Sequence, residues 1–368
     1  MIINFDYRID VIKAGVKIGE LNNASAIQFE NIQNSGCGNF SLTIARRFDD
    51  FADIIDYNNE IKIYINNVLY FTGMIIDYIP NLDLSENIQI NGTGFVEQLN
   101  WQLVTNTYSS IEVSALMEDL VTTYILPYGD ITIGTIEPMG YIIDSITFEA
   151  LSVKECLQTL QELAGINIVE VDENKQFNVK IRTTTDSLWD VAEWDTALWD
   201  AKTGTAHYVF VGDKVQEYNT INTSSNLRNS ITFRGGRVAG VLFTDSLTDP
   251  VSITAYGERQ TLESNSAITN HNDAVQYLSS KLDAIAYPTS RTTLTINNYT
   301  TLPIKAGDVI NLTMPDASVV QHFVISAGYD ISDAGVKITI QADSLTPQWN
   351  TSWKRLERRL SNVQNQNL

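Results

Sequence analysis

Residues 59 to 92 and residues 307 to 341 follow one plan, and this recurrence constrains the fold more than any other feature. The first stretch runs from the polar pair Asn59-Glu60 through IKIYI, a turn at Asn66-Asn67, the long run LYFTGMIIDYI, a polar loop and NIQING. The second runs from Gly307-Asp308 through VINLT, a turn, HFVISAGYDIS, a short loop and VKITIQ. Apolar residues alternating with polar ones mark half-buried strands. An Asn-Asn pair between two such runs marks a two-residue hairpin. Each long run holds an internal glycine, Gly73 or Gly328. Gly73 suggests a bulge or a sharp bend at a barrel corner. The reading is two similar β-barrel domains in one chain, with α/β material inserted between and within them. Identity between the halves is slight, so the alternative stands that any two antiparallel meanders look alike.

Between the halves the period changes. Ser109 to Tyr124 places Ile111, Ala115, Leu116, Leu120 and Val121 near helical spacing. A second helix opens at Ser152, where Glu155 three residues on completes a capping box. Val153, Cys156, Leu157, Leu160, Leu163 and Ala164 form its apolar stripe, and Gly165 ends it. Residues 166–171 and 176–181 then read as a hairpin. Strands are expected at 230–234 and 251–256, and a helix at 272–287, just before Pro288. Residues 183 to 230 have no clear period.

The chain has 368 residues, 43% of them hydrophobic, which is enough for two to four cored domains. Its net charge is −20. That balance argues against a surface that grips nucleic acid through its phosphates. It fits a solvated acidic surface or a channel wall that repels DNA. The N-terminus carries charges within its first ten residues and has no secretory pattern. No run reaches the ~18 apolar residues of a membrane span. A soluble protein made in a cytoplasm is expected.

Candidate chemistry is sparse. His207, His271 and His322 are scattered, and no HExxH, GxSxG or glycine-rich phosphate loop occurs. His322 reads as a barrel residue. Cys37, between Gly36 and Gly38, reads as a turn or bulge residue, since no base or cation adjoins it to activate the thiol. Cys156 reads as core. Arg234-Gly235-Gly236-Arg237 reads as a solvated turn after a strand rather than a phosphate contact. No catalytic residue, cofactor or metal is expected.

Taken in order, several segments are similar to the tail hub (baseplate hub) proteins of long-tailed bacteriophages. They are GNFSLTIAR, NNEIKIYINNVLYFTGMI and NIQINGTGFVEQL, then SVKECLQTLQELAGINIVEVDENKQFNV, then NSITFRGG, SITAYGERQ and LPIKAGDVINL. The similarity covers roughly residues 1 to 345, and the order of the segments carries it. It implies a non-enzymatic homotrimer in the virion, at the distal end of the tail or in a related contractile injection machine. Each subunit would give two tube-like barrels, so that three make a pseudo-six-fold ring on the hexameric tube. Implied partners are the tail tube or distal tail protein, and a central spike, fibre or tape-measure protein. DNA would pass without specific binding. Some relatives carry a wall-cleaving domain after the hub; here only about twenty residues follow the last barrel strand, too few for one.

Two features lie outside that resemblance. Trp189, Trp194 and Trp199 each precede an Asp at five-residue intervals, which fits neither helix nor strand. They either contact a partner or sugar or pin an irregular connection to its neighbour. The tail carries Trp349, Trp353, Leu356 and Leu360 at helical spacing, with Lys354, Arg355, Arg358 and Arg359. It is either a frayed end or a helix that meets its copies, or a spike, at the trimer axis. The alternative functions are a receptor- or carbohydrate-binding tail-tip module and a cell-wall hydrolase.

The expected fold is mainly β with α/β insertions. Residues 1–105 form the first tube-like barrel and 106–185 an inserted α/β domain. Residues 186–229 form an irregular Trp/Asp-rich connection. The second barrel spans 230–345, with an inserted α/β part near 250–290, and a basic helical tail spans 346–368.

Overall fold

Alternating apolar residues place seven strands at the N-terminal end. They are β1 (Tyr7–Lys13), β2 (Val16–Glu20), β3 (Ala24–Ile32), β4 (Gly36–Ile44), β5 (Glu60–Ile65), β6 (Val68–Pro80) and β7 (Ile88–Gly94). The computed structural model describes residues 6–21, 24–44, 54–80, 87–165, 167–181, 206–210, 215–298, 303–314, 318–332 and 335–344. Asn66 and Asn67 both take positive φ, 50° and 63°, as a tight hairpin requires. Gly73 carries no bulge; the bulge of the β6–β7 ladder lies between Ile75 and Asp77. Glycine is needed there because a Cβ would sit 2.7 Å from the Thr93 carbonyl oxygen. In the second half the corresponding shift lies between Val324 and Ser326.

The middle of the chain opens with β8 (Leu103–Glu112), α1 (Val113–Tyr124), β9 (Thr132–Ile136), β10 (Ile142–Ser152), α2 (Val153–Ala164), β11 (Asn167–Val171) and β12 (Gln176–Ile181). Helix α1 starts later than the period predicts, because Ser109 and Ile111 pair with Ser145 and Ile143 in the β8–β10 ladder. Glu112 caps it, accepting from the Ala115 N–H. Helix α2 has the expected capping box of Ser152 and Glu155. Gly165, with φ 87°, ends it.

The stretch expected to be irregular contains two strands, β13 (Ala206–Phe210) and β14 (Val215–Thr223). Next come β15 (Ser230–Val238), β16 (Val241–Thr248), α3 (Pro250–Tyr256), β17 (Gln260–Ser264) and α4 (His271–Ile285). Residues 251–256 are therefore helical, not extended. Asp249 caps that helix through the Ser252 N–H, and Pro250 occupies its first turn. Cap and proline outweigh the β-branched Val251, Ile253 and Thr254. Arg234-Gly235-Gly236-Arg237 is not a turn but a bulged part of β15. The chain closes with β18 (Thr289–Asn297), β19 (Val309–Thr313), β20 (Val319–Ser332) and β21 (Gly335–Ser344).

Two cores result. One gathers apolar residues of β1 and β3 to β7 with those of β18 to β21, including Ile63, Phe71, Leu294 and Ile340. The other gathers residues from Phe95 to Val179 and from Ile231 to Tyr287. Thus β15, expected at the start of the second barrel, packs on the α/β insert. Asp273 fastens the insert's two chain segments. Its buried carboxylate accepts from the Tyr141 hydroxyl and from the N–H groups of Asp144 and Ser145.

Candidate assembly site

The two ends of the chain repeat one pairing order. It is β3-β4-β7-β6-β5 in the first half and β14-β18-β21-β20-β19 in the second, antiparallel throughout. The turns before the meanders agree bond for bond. Asn58 N–H donates to Ile75 O and Gly307 N–H to Val324 O, both at 2.9 Å. Ile75 N–H donates to Asn59 O at 3.0 Å, and Val324 N–H to Asp308 O at 2.9 Å. Bulges coincide too: Ile75/Asp77 matches Val324/Ser326, and Ala24/Ala26 matches Val215/Glu217. The shifts at Phe29/Asn31 in β3–β4 and at Ile63/Tyr64 in β5–β6 have no counterpart in the second half. Separate ladders that agree in order, in most of their register and in two bulges are still not a generic meander.

The halves are fused edge to edge. The C-terminal half of β20 leaves β19 and pairs with β3, from Ser326 opposite Ile32 to Ser332 opposite Ala26. Phe29 and Tyr329 face each other in this joint and stack at 4.6 Å. The Tyr329 hydroxyl also holds the Ile304 backbone. A stacked pair of this kind adds about 1 kcal/mol beyond its burial.

The β11–β12 hairpin wedges against both halves. Lys175 at its tip reaches Glu60 of the first half at 2.9 Å. Glu173 reaches Lys305 of the second at 2.5 Å. Val171 pairs with Gly36, so closely that a Cβ on Gly36 would lie 2.0 Å from the Val171 oxygen.

Groups with potential chemistry are scattered or buried. Burial pushes the thiols of Cys37 and Cys156 up to about 12, so neither is a thiolate at neutral pH. Cys37 lies in β4 beside a bulge, as its glycine neighbours indicate. His322 is buried under Tyr218, whose hydroxyl lies 3.3 Å from Nε2. His271 is exposed and pairs with Asp245 at 2.7 Å. His207 falls in β13. Among the described residues no three metal-ligating side chains cluster, and no helix is long and apolar enough to cross a membrane. Trp189, Trp194, Trp199, Trp349, Trp353, Arg355, Arg358 and Arg359 lie outside the described residues. Sequence reasoning does not single out the joint residues Phe29 and Tyr329. Their only signal is an aromatic in each of two strands.

No protein-family model matches the sequence, and no curated protein matches it. Solved structures do match in fold. A 43 kDa tail protein of prophage MuSo2 from Shewanella oneidensis superposes with a TM-score of 0.64 at 14% identity, over 92% of this chain and 98% of that one. A tail protein from Neisseria meningitidis gives 0.63 at 11% identity, over 92% and 96%. The prophage tail protein gp18 of Listeria monocytogenes gives 0.55 at 14% identity, over 95% and 98%. The chain has the fold of these tail proteins along nearly its whole length.

Proposed function

We propose that three copies of this chain form a ring at the distal end of a phage tail. The ring joins the six-fold tail tube to a three-fold spike or fibre and leaves a path for DNA. The observation that carries this reading is the duplicated five-strand order within one chain. Three chains would then place six like sheets around an axis, matching a hexameric tube, and closed rings are the usual outcome of repeated interfaces. The tail-protein fold supports the same role. The net charge of −20 supports a lumen wall that does not hold passing DNA.

The role is structural rather than enzymatic on this reading. The buried thiols and the scattered histidines support it, as does the similarity to tail proteins. Partners are the tube or distal tail protein on one side and a spike, fibre or tape-measure protein on the other. The tryptophan repeat and the basic tail are the proposed contacts for the latter. Gold-labelled antibody on virions of the encoding phage tests the location. Label confined to the tail tip is expected; label along the tail shaft or on the head overturns the reading.

A further inference from the structure

The internal joint between β20 and β3 has a counterpart with no partner strand among the described residues of the chain. By the matched bonds and bulges, Asp77 corresponds to Ser326 and Ile79 to Gly328 in the long strands. In the same way Thr223 corresponds to Ile32 and Ile221 to Glu30. Strand β5 leaves β6 after Met74, and β7 covers only one edge of residues 75–80. Among the described residues, no strand lies along the other edge of Asp77–Pro80. Among the described residues strand β14 pairs with β18 alone, so one of its edges also carries no described strand. These are the same two edges that β20 and β3 bring together within the chain.

Burial points the same way. In β3 Ile27, Phe29 and Asn31 are buried. Their counterparts Tyr218, Thr220 and Asn222 are half-buried or exposed. Ile76 and Ile79 are each 50% exposed, and Ile221 is 57% exposed. Three large aliphatic side chains are thus left open on two strand edges, a template for pairing with another chain.

We propose that β14 of one copy adds antiparallel to the C-terminal half of β6 in the next copy, in the register of the internal joint. The inference rests on the ring reading above and names the seam of that ring. Transferring the β20–β3 register puts Asp77 opposite Thr223, and Ile79 opposite Ile221, of the neighbouring copy. The exposed isoleucines become a cross-strand pair. The ladder is short, because Pro80 has no N–H to donate. The seam also lacks the Phe29–Tyr329 stack, since Thr220 and Pro80 occupy those positions. It is therefore weaker than the internal joint, and subunits separate before the two halves of a chain do.

The test is Ile79→Cys combined with Ile221→Cys, oxidised with copper phenanthroline and run without reductant. Directly opposed residues place their Cα atoms within disulfide reach, whereas a two-residue slip does not. A covalent trimer is expected, with at least ~10-fold less cross-linking for Ile79→Cys with Asn219→Cys, a diagonal pair. Each single variant stays at one chain. Asp77→Cys with Thr223→Cys, in the same register, serves if the first pair misfolds. A trimeric mass without these cross-links, or with the diagonal pair equally linked, overturns the seam and leaves the ring standing. A monomer at every concentration overturns both.

Discussion

Asn58 and Gly307 are structural counterparts at opposite ends of the chain. Each turns with positive φ, 63° and 94°, and each donates its N–H at 2.9 Å to the long strand of its own meander. Asparagine tolerates the left-handed region and glycine occupies it freely. Gly307→Ala is expected to cost about 1–2 kcal/mol, while Asn58→Gly is expected to change stability by less than about 0.5 kcal/mol. Urea midpoints of the two variants check this. Equal losses at both sites would contradict the equivalence.

The insert is keyed to the sheets at Gly36. Any Cβ there meets the Val171 carbonyl oxygen, on a backbone with φ 79°. Gly36→Ala is expected to lose more than about 2 kcal/mol. Hydrogen exchange in 167–181 is expected to rise with it. A variant as stable as the parent would show that the hairpin shifts freely.

Glu60 is nearly buried and is held by Lys175 at 2.9 Å and Lys62 at 3.2 Å. Lys175→Met removes the closer cation and leaves the carboxylate under-paired. A loss of about 2 kcal/mol is expected. Because Glu60 is buried and Lys175 half-buried, the loss is expected to change less with salt than that of a surface pair.

Glu112 ties α1 to the loop before β10. Burial alone would raise its carboxyl. Bonds from the Ser114 hydroxyl and from the N–H groups of Ala115, Met139 and Gly140 outweigh burial and hold it below the usual glutamate range. A carboxyl lowered in the folded state stabilises above its ordinary pKa of about 4.3 and loses that stabilisation as pH falls through the folded value. Glu112→Gln is therefore expected to cost about 1 kcal/mol near neutral pH and to converge with the parent in acid. Denaturation midpoints across that range decide it; a cost independent of pH would contradict it.

Both thiols are expected to stay silent to a thiol reagent in the folded protein and to react together in denaturant, because burial raises each to about 12. Reaction of either in the native state would contradict their place in the cores.

Much of this is legible in the sequence, and for local reasons. The Asn66-Asn67 turn and the Ser152–Glu155 capping box satisfy their own backbone, so neighbouring residues suffice to read them. The helix at 251–256 is misread although its Asp249 cap and Pro250 are local, because its β-branched residues point the other way. Other misread elements depend on distant partners. Ser109–Glu112 reads as helical, yet its strand register is set by residues 142–145. Residues 230–234 form a strand as expected, but alternation does not say which core a strand joins. Strand β14 escapes notice because Val215–Thr223 carries little apolar alternation, and most of it is exposed within one chain. The proposed seam gives a physical reason, since the strand's second neighbour would belong to another copy. The Trp-Asp repeat and the basic tail remain proposals for partner contact.

The most direct test of the ring is its mass by light scattering after size exclusion, over a range of protein and salt concentrations so that repulsion between acidic subunits is screened. Three times 41.1 kDa, about 123 kDa, is predicted. A mass of 41.1 kDa under every condition would contradict it.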